Sequence, residues 1–211
     1  HAFRVSTPTE IQQHGPALPM QCVWSQQESE NYYQCRAGIS NSSDKIDQTQ
    51  QSWTTQAESS SLLTCLKIGR VNQWITSKHE VNSAVLKADL PKGRLVVVQP
   101  PQIWIDWGLV EPGTLWTMEN AVQELRESPA LWSAERDSQL RKLKWSVGNE
   151  TFYLRCCASD SQVWLLTKKG DKTNKLLGIL VVGGYDFLLQ TAAGPCRDAF
   201  LESIGKAWKF D

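Results

Sequence analysis

The sequence predicts an α+β fold, predominantly antiparallel β, with an inserted αα-hairpin and a C-terminal helix packed on a β-meander. Three observations predict it. Short alternating apolar and polar segments bounded by turn residues recur over residues 20–38, 61–107 and 144–191. Apolar spacing changes to a helical period between residues 113 and 144. After Pro195, residues Cys196, Phe200, Ile204 and Trp208 fall on one helical face. The 211 residues thus divide into a β-rich region (1–112), the αα-hairpin (113–144) and the meander with its helix (145–211), which can integrate into one domain.

Taken in order, residues 1–19 hold three prolines with little periodicity and read as an extended arm. In "MQCVWSQQESENYYQC" two alternating strands flank a polar turn near Glu28 and Ser29, in a register whose paired positions sum to 57. Cys22 then lies opposite Cys35 and Trp24 opposite Tyr33. Directly opposed Cβ atoms approach to about 4.5–5.5 Å, near disulfide range, so a Cys22–Cys35 bond is expected, the alternative being two thiols in a reduced hairpin. Residues 40–61, rich in Ser, Thr, Gln and Asp, read as a long exposed loop. Strand-like segments follow: "SLLTCLKI", "VNQWITS", "SAVLKADL", "RLVVVQP" and "IWIDW".

Leu115, Met118, Val122 and Leu125 recur at helical spacing after Thr114, a candidate cap, and Ser128-Pro129 opens a second helix. The charged surface of "PALWSAERDSQLRKLKW" is expected to be solvated and to offer Arg136, Arg141 and Lys142 to a partner. Five meander strands then begin at "KWSV", joined by short turns that include Gly148-Asn149, Ser159-Asp160-Ser161 and Gly183-Gly184. Cys156 and Cys157 are neighbours in one of them, and consecutive strand residues leave on opposite faces. One is expected to reach Cys196 on the closing helix and the other Cys65.

Lys plus Arg and Asp plus Glu both total 22, which removes the broad positive field of a dedicated nucleic-acid binder. No run approaches the ~18 apolar residues of a membrane-spanning helix. Six cysteines permit three disulfides, and no C-x-x-C or Cys/His pair has zinc-ligand spacing. The chain begins at His1 without an initiator methionine, so removal of an upstream segment is expected. Together with the cysteines this predicts an extracytoplasmic protein, secreted or periplasmic.

Enzyme signatures such as G-x-S-x-G, H-E-x-x-H and phosphate-binding loops do not occur. The α-amine and imidazole of His1 form a bidentate chelate suited to copper. Copper-dependent polysaccharide monooxygenases begin with such a histidine, and the resemblance covers that one residue. In "TSKH", His79 could serve a thiol if it approached Cys65. Ten tryptophans exceed average usage several-fold, and indoles serve cores, interfaces and sugar platforms alike. Read as a strand, "QIWIDW" places Trp104 and Asp106 on one face, as a ligand anchor if exposed or as core if covered. Lys168, Lys169, Lys172 and Lys175 crowd one turn, and Asn41 and Asn149 begin glycosylation sequons.

The expected function is a non-enzymatic secreted or periplasmic protein that binds another protein, as an inhibitor, immunity factor or envelope-assembly component. The alternatives are carbohydrate binding through exposed Trp, and an enzyme whose site is assembled from distant residues, including a copper site at His1. No cofactor is expected otherwise, and the sequence carries no signature of a particular oligomeric state.

Overall fold

The computed structural model describes residues 2–27, 32–40, 54–173 and 175–208. Along the chain the elements are β1 (Phe3–Val5), α1 (Pro8–His14), β2 (Leu18–Gln27), β3 (Tyr32–Ile39), α2 (Ser59–Val71), β4 (Ile75–Glu80), a single 3-10 turn (Ala84–Lys87), β5 (Val97–Gln99), α3 (Gln102–Asp106), β6 (Trp116–Met118), α4 (Ser128–Lys142), β7 (Lys144–Val147), β8 (Glu150–Cys156), β9 (Val163–Lys168), β10 (Gly178–Gly183), β11 (Asp186–Thr191) and α5 (Pro195–Ala207). The fold is mixed α+β and mostly antiparallel, with a C-terminal helix. It divides into two compact units, each discontinuous in sequence: His1–Trp53 with Val85–Trp132, and Thr54–Ala84 with Ser133–Asp211. The segment expected as a separate αα-hairpin is therefore shared between them, the chain passing from one to the other within α4.

The first unit is built on a five-stranded sheet in the order β1-β6-β5-β2-β3, antiparallel except where β2 runs parallel to β5. Met20, Ile39, Val96, Val98, Met118, Val122 and Leu125 form its core. The expected extended arm instead supplies β1 and α1. Thr7 caps α1, its hydroxyl accepting from the Glu10 N–H at 3.3 Å while Glu10 accepts from the Thr7 N–H at 2.9 Å, and Pro8 fits the first helical turn. Arg4 beside Glu10 holds that carboxyl far below the usual range.

Residues 113–125 do not form the expected helix. The Pro112-Gly113 turn leads into β6, which needs only three residues to pair with β1 and β5, and the chain beyond it is irregular. "IWIDW" is not a strand but lies largely in α3, and "SAVLKADL" holds a single 3-10 turn.

The second unit carries a six-stranded antiparallel sheet in the order β4-β11-β10-β9-β8-β7. The five expected meander strands are all present, and β4 extends them at the far edge. The β10–β11 register places Gly184 and Tyr185 at the turn, with positive φ at Gly184 alone, one residue beyond the expected Gly183-Gly184.

Both faces of this sheet are covered, which explains why β9 and β10 read as nearly continuous apolar runs. On one face Val163, Ile179 and Val181 pack with Cys65 of α2. On the other, Trp145 meets Phe200 of α5 at 5.0 Å, and Phe187 meets Trp208, just beyond α5, at 5.4 Å.

The segment "SLLTCLKI" reads as a strand yet lies in α2. Leu62, Cys65, Ile68 and Gly69 recur at helical spacing, and this is the stripe that packs. Gly69 permits the close approach of α2 to β11, since a Cβ there would lie 2.8 Å from Gln190 Cδ.

Nor is α4 a solvated helix. Trp132, Ser133, Arg136 and Leu140 are buried along one stripe, and the stripe escapes a hydrophobicity pattern because one of its members is an arginine.

Candidate functional site

In β2, Met20, Cys22 and Trp24 leave on one face, opposite Ile39, Ala37 and Cys35 of β3. The outer residue pairs are progressively less covered: Met20 and Ile39 are buried, Cys22 and Ala37 half-buried, and Trp24 is 45% exposed. The hairpin thus runs out beyond the core it helps to build and carries its apolar face with it.

There Trp24 meets Trp107, with ring centroids 6.0 Å apart and planes inclined by 59°. Trp107 caps the C-terminus of α3, and Gly108, at φ 69°, turns the chain so that Leu109 follows on the surface. Trp107 is 56% exposed and Leu109 68%.

The expected Cys22–Cys35 pairing is corrected by this register. Paired positions sum to 59, not 57, so Cys22 faces Ala37 and Cys35 faces Trp24. The two thiols remain diagonal neighbours on one face, and burial together with the contact to Cys35 pushes the Cys22 thiol up to about 11. The turn itself lies outside the described residues.

Trp104, expected on a strand face, is half-buried on α3 with its ring 5.9 Å from that of Trp116, so it is neither a free platform nor fully enclosed core. Asp106 is exposed and accepts a hydrogen bond from Gln102 Nε2 at 2.8 Å.

The trio expected to dock a partner is split. Arg136 is 0% exposed. Its guanidinium donates to the Gly184 carbonyl at 2.9 Å, the Thr55 hydroxyl at 3.0 Å, the Gln162 side-chain carbonyl and the Asp137 carboxylate at 2.9 Å. Arg141 and Lys142 are exposed, and the Arg141 guanidinium lies over the Trp164 ring at 5.6 Å.

All six cysteines are free thiols, so no disulfide is at bonding distance. As the pleat requires, Cys156 and Cys157 serve different faces. Cys156 sits opposite Trp164 on the sheet face that carries Arg141, whereas Cys157 packs with Cys65 against α2. The expected reach to Cys196 is not made, for that thiol starts α5 in the surroundings of Trp145 and Glu150.

His79 does not serve Cys65 either, because β4 aims it at the opposite face, beside Phe187. Its Nε2 lies 2.8 Å from Ser77 Oγ, which also accepts from Arg197 Nη2 at 2.7 Å. Burial and the Arg197 charge push the imidazole below its usual range. Sequence reasoning missed this group although Ser77 and His79 stand two apart on a strand, the spacing that places side chains on one face.

The lysine-rich turn lines a shallow groove of about 690 Å³ beside the start of α5, where Lys168 pairs with Glu150 and Asp171 accepts from the turn's own backbone. Among the described residues no group of three or more His, Cys, Asp and Glu could hold a metal ion. The copper chelate expected at His1 lies outside the described residues, as does the Asn41 sequon, while Asn149 lies exposed in the β7–β8 turn.

No protein-family model matches the chain, and neither the curated proteins nor the solved structures contain a significant match.

Proposed function

We propose that the protein acts by binding another protein through the projecting face of the β2–β3 hairpin, with Trp24 and Trp107 as anchors and Leu109 at the rim. The observation that carries this reading is the pairing of two half-exposed indoles from separate elements. Keeping such apolar area in water is unfavourable in an isolated chain, and aromatic side chains dominate the energetics of protein interfaces. Because the planes are inclined by 59°, the two rings offer no common flat face for a sugar to stack on, whereas their exposed edges suit an irregular protein surface.

The double variant Trp24→Ala/Trp107→Ala tests the proposal. At about 2 kcal/mol or more per anchor, partner affinity is expected to fall at least about 100-fold, while the unfolding midpoint moves little because both rings are half in solvent. Quantitative capture from the native source by wild type and variant in parallel reads the first effect, and thermal unfolding the second. Equal capture would defeat the proposal. Quenching of wild-type tryptophan fluorescence by soluble oligosaccharides, lost in the variant, would favour the sugar reading instead.

An extracytoplasmic location belongs to the same proposal and rests on the even number of cysteines in the sequence. Fractionation of the native source, followed with an antibody to the chain, is expected to find the protein outside the cytoplasm. Recovery in the cytoplasmic fraction would remove this part of the proposal.

A further inference from the structure

Cys157 lies just after β8, at the mouth of a short loop closed by its own N–H on the Val163 carbonyl at 2.8 Å. Asp160 stiffens that loop from within: one carboxylate oxygen accepts from the Gln162 N–H at 2.9 Å and the other from the Glu58 N–H at 3.0 Å, which ties the loop to the start of α2. The loop so held brings the Ser159 hydroxyl to the Cys157 sulfur, with Ser159 Oγ 3.2 Å from Cys157 Sγ.

Hydrogen bonds to a sulfur anion favour it over the thiol. Cys157 is accordingly held below the usual thiol range, first by the Ser159 hydroxyl and then by the backbone, whereas burial pushes Cys22, Cys65, Cys156 and Cys196 upward. Across from Cys157, in the same apolar cluster, stands Cys65 of α2. Cys157 is partly exposed and Cys65 is buried. A reagent in solvent therefore meets Cys157 first.

We propose that Cys157 is a nucleophilic site for low-molecular-weight disulfides, with Cys65 as its resolving thiol, an activity separate from partner binding on the hairpin. The Cys157 thiolate attacks one sulfur of the reagent, RSSR. The reagent's S–S bond breaks, RS⁻ leaves with the electron pair, and a mixed disulfide forms on Cys157. Cys65 then loses its proton to solvent, attacks the Cys157 sulfur and displaces the second RS⁻. Two protein thiols have lost two electrons, and RSSR has become two RSH once protonated.

The vicinal thiol cannot take the resolving role. The pleat turns Cys156 to the other face, where its S–H is directed at the Cys157 and Ser161 carbonyls.

The test uses the full reduced chain with oxidised glutathione at pH 7, sampled by mass spectrometry of unreduced peptides. Glutathione is expected on Cys157 first, followed by its loss as a Cys65–Cys157 link appears. Cys65→Ala should arrest the reaction at the Cys157 adduct, Cys156→Ser should leave it unchanged, and Ser159→Ala should slow the first step by about threefold or more. Iodoacetamide on the unmutated chain gives an independent reading, with Cys157 expected to be alkylated before the other five thiols. Earlier modification of another cysteine, or resolution by Cys156 in place of Cys65, would overturn the assignment.

Discussion

Arg136→Met is expected to cost about 3 to 5 kcal/mol of stability, measured by denaturant unfolding of the second unit. The guanidinium is fully buried and supplies donors to Thr55, Gly184, Gln162 and Asp137. Removing it leaves a part-buried carbonyl, a buried side-chain amide oxygen and a largely enclosed carboxylate short of partners, and a polar group left so costs more than a hydrogen bond contributes.

The residues it joins are far apart in sequence: the segment before α2, the β10–β11 turn and the residue just before β9. Arg136→Lys should recover only part of the loss, because an ammonium offers a point charge where the site is built for a planar fork. Charge reversal to Glu should prevent the unit from folding. An Arg136→Met variant with an unchanged midpoint would show that the network contributes nothing net. For any test of a partner surface on α4, the usable positions are Arg141 and Lys142.

The second large effect is expected at Trp164, the second residue of β9 and 0% exposed. Trp164→Ala should cost about 3 to 5 kcal/mol, from lost burial and from the cavity that remains between sheet and helix. A further fraction follows from the lost Arg141 contact, about 0.5 to 1 kcal/mol at a partly exposed site. Trp164→Phe should be far milder. The indole N–H is buried without a hydrogen-bond partner among the described residues, so removing it offsets part of the smaller ring's lost packing. If the Phe and Ala variants fell equally, ring packing would not be what Trp164 contributes, and the assignment of the loss to burial and cavity would fail.

Within the second unit, most of what the sequence made legible is local. The meander strands, their turns at Gly148, Asp160 and Gly184, and the helix from Pro195 are each specified by residues within one element and its flanks. "SLLTCLKI" fits both periods, and only the sheet beneath it selects the helix. In the hairpin, alternation put Cys22, Trp24 and Cys35 on one face, but the register moved by two positions, which the pleat tolerates without exchanging faces. Residues 115–125 carry a helical pattern that sheet pairing overrides.

By itself, then, the sequence determined the strand order of the meander, the closing helix and the opposed faces of Cys156 and Cys157, because a pleat of period two and a turn glycine act within a few residues. Tertiary structure alone decided that Arg136 is buried, that Trp24 and Trp107 form a pair, and that Cys157 and not Cys156 receives hydrogen-bond donors. Each of these depends on groups the chain brings together across tens of residues or, for Cys157, on the conformation of a loop held to α2, and such donors, rings and carbonyls leave no periodic trace in the order of the amino acids.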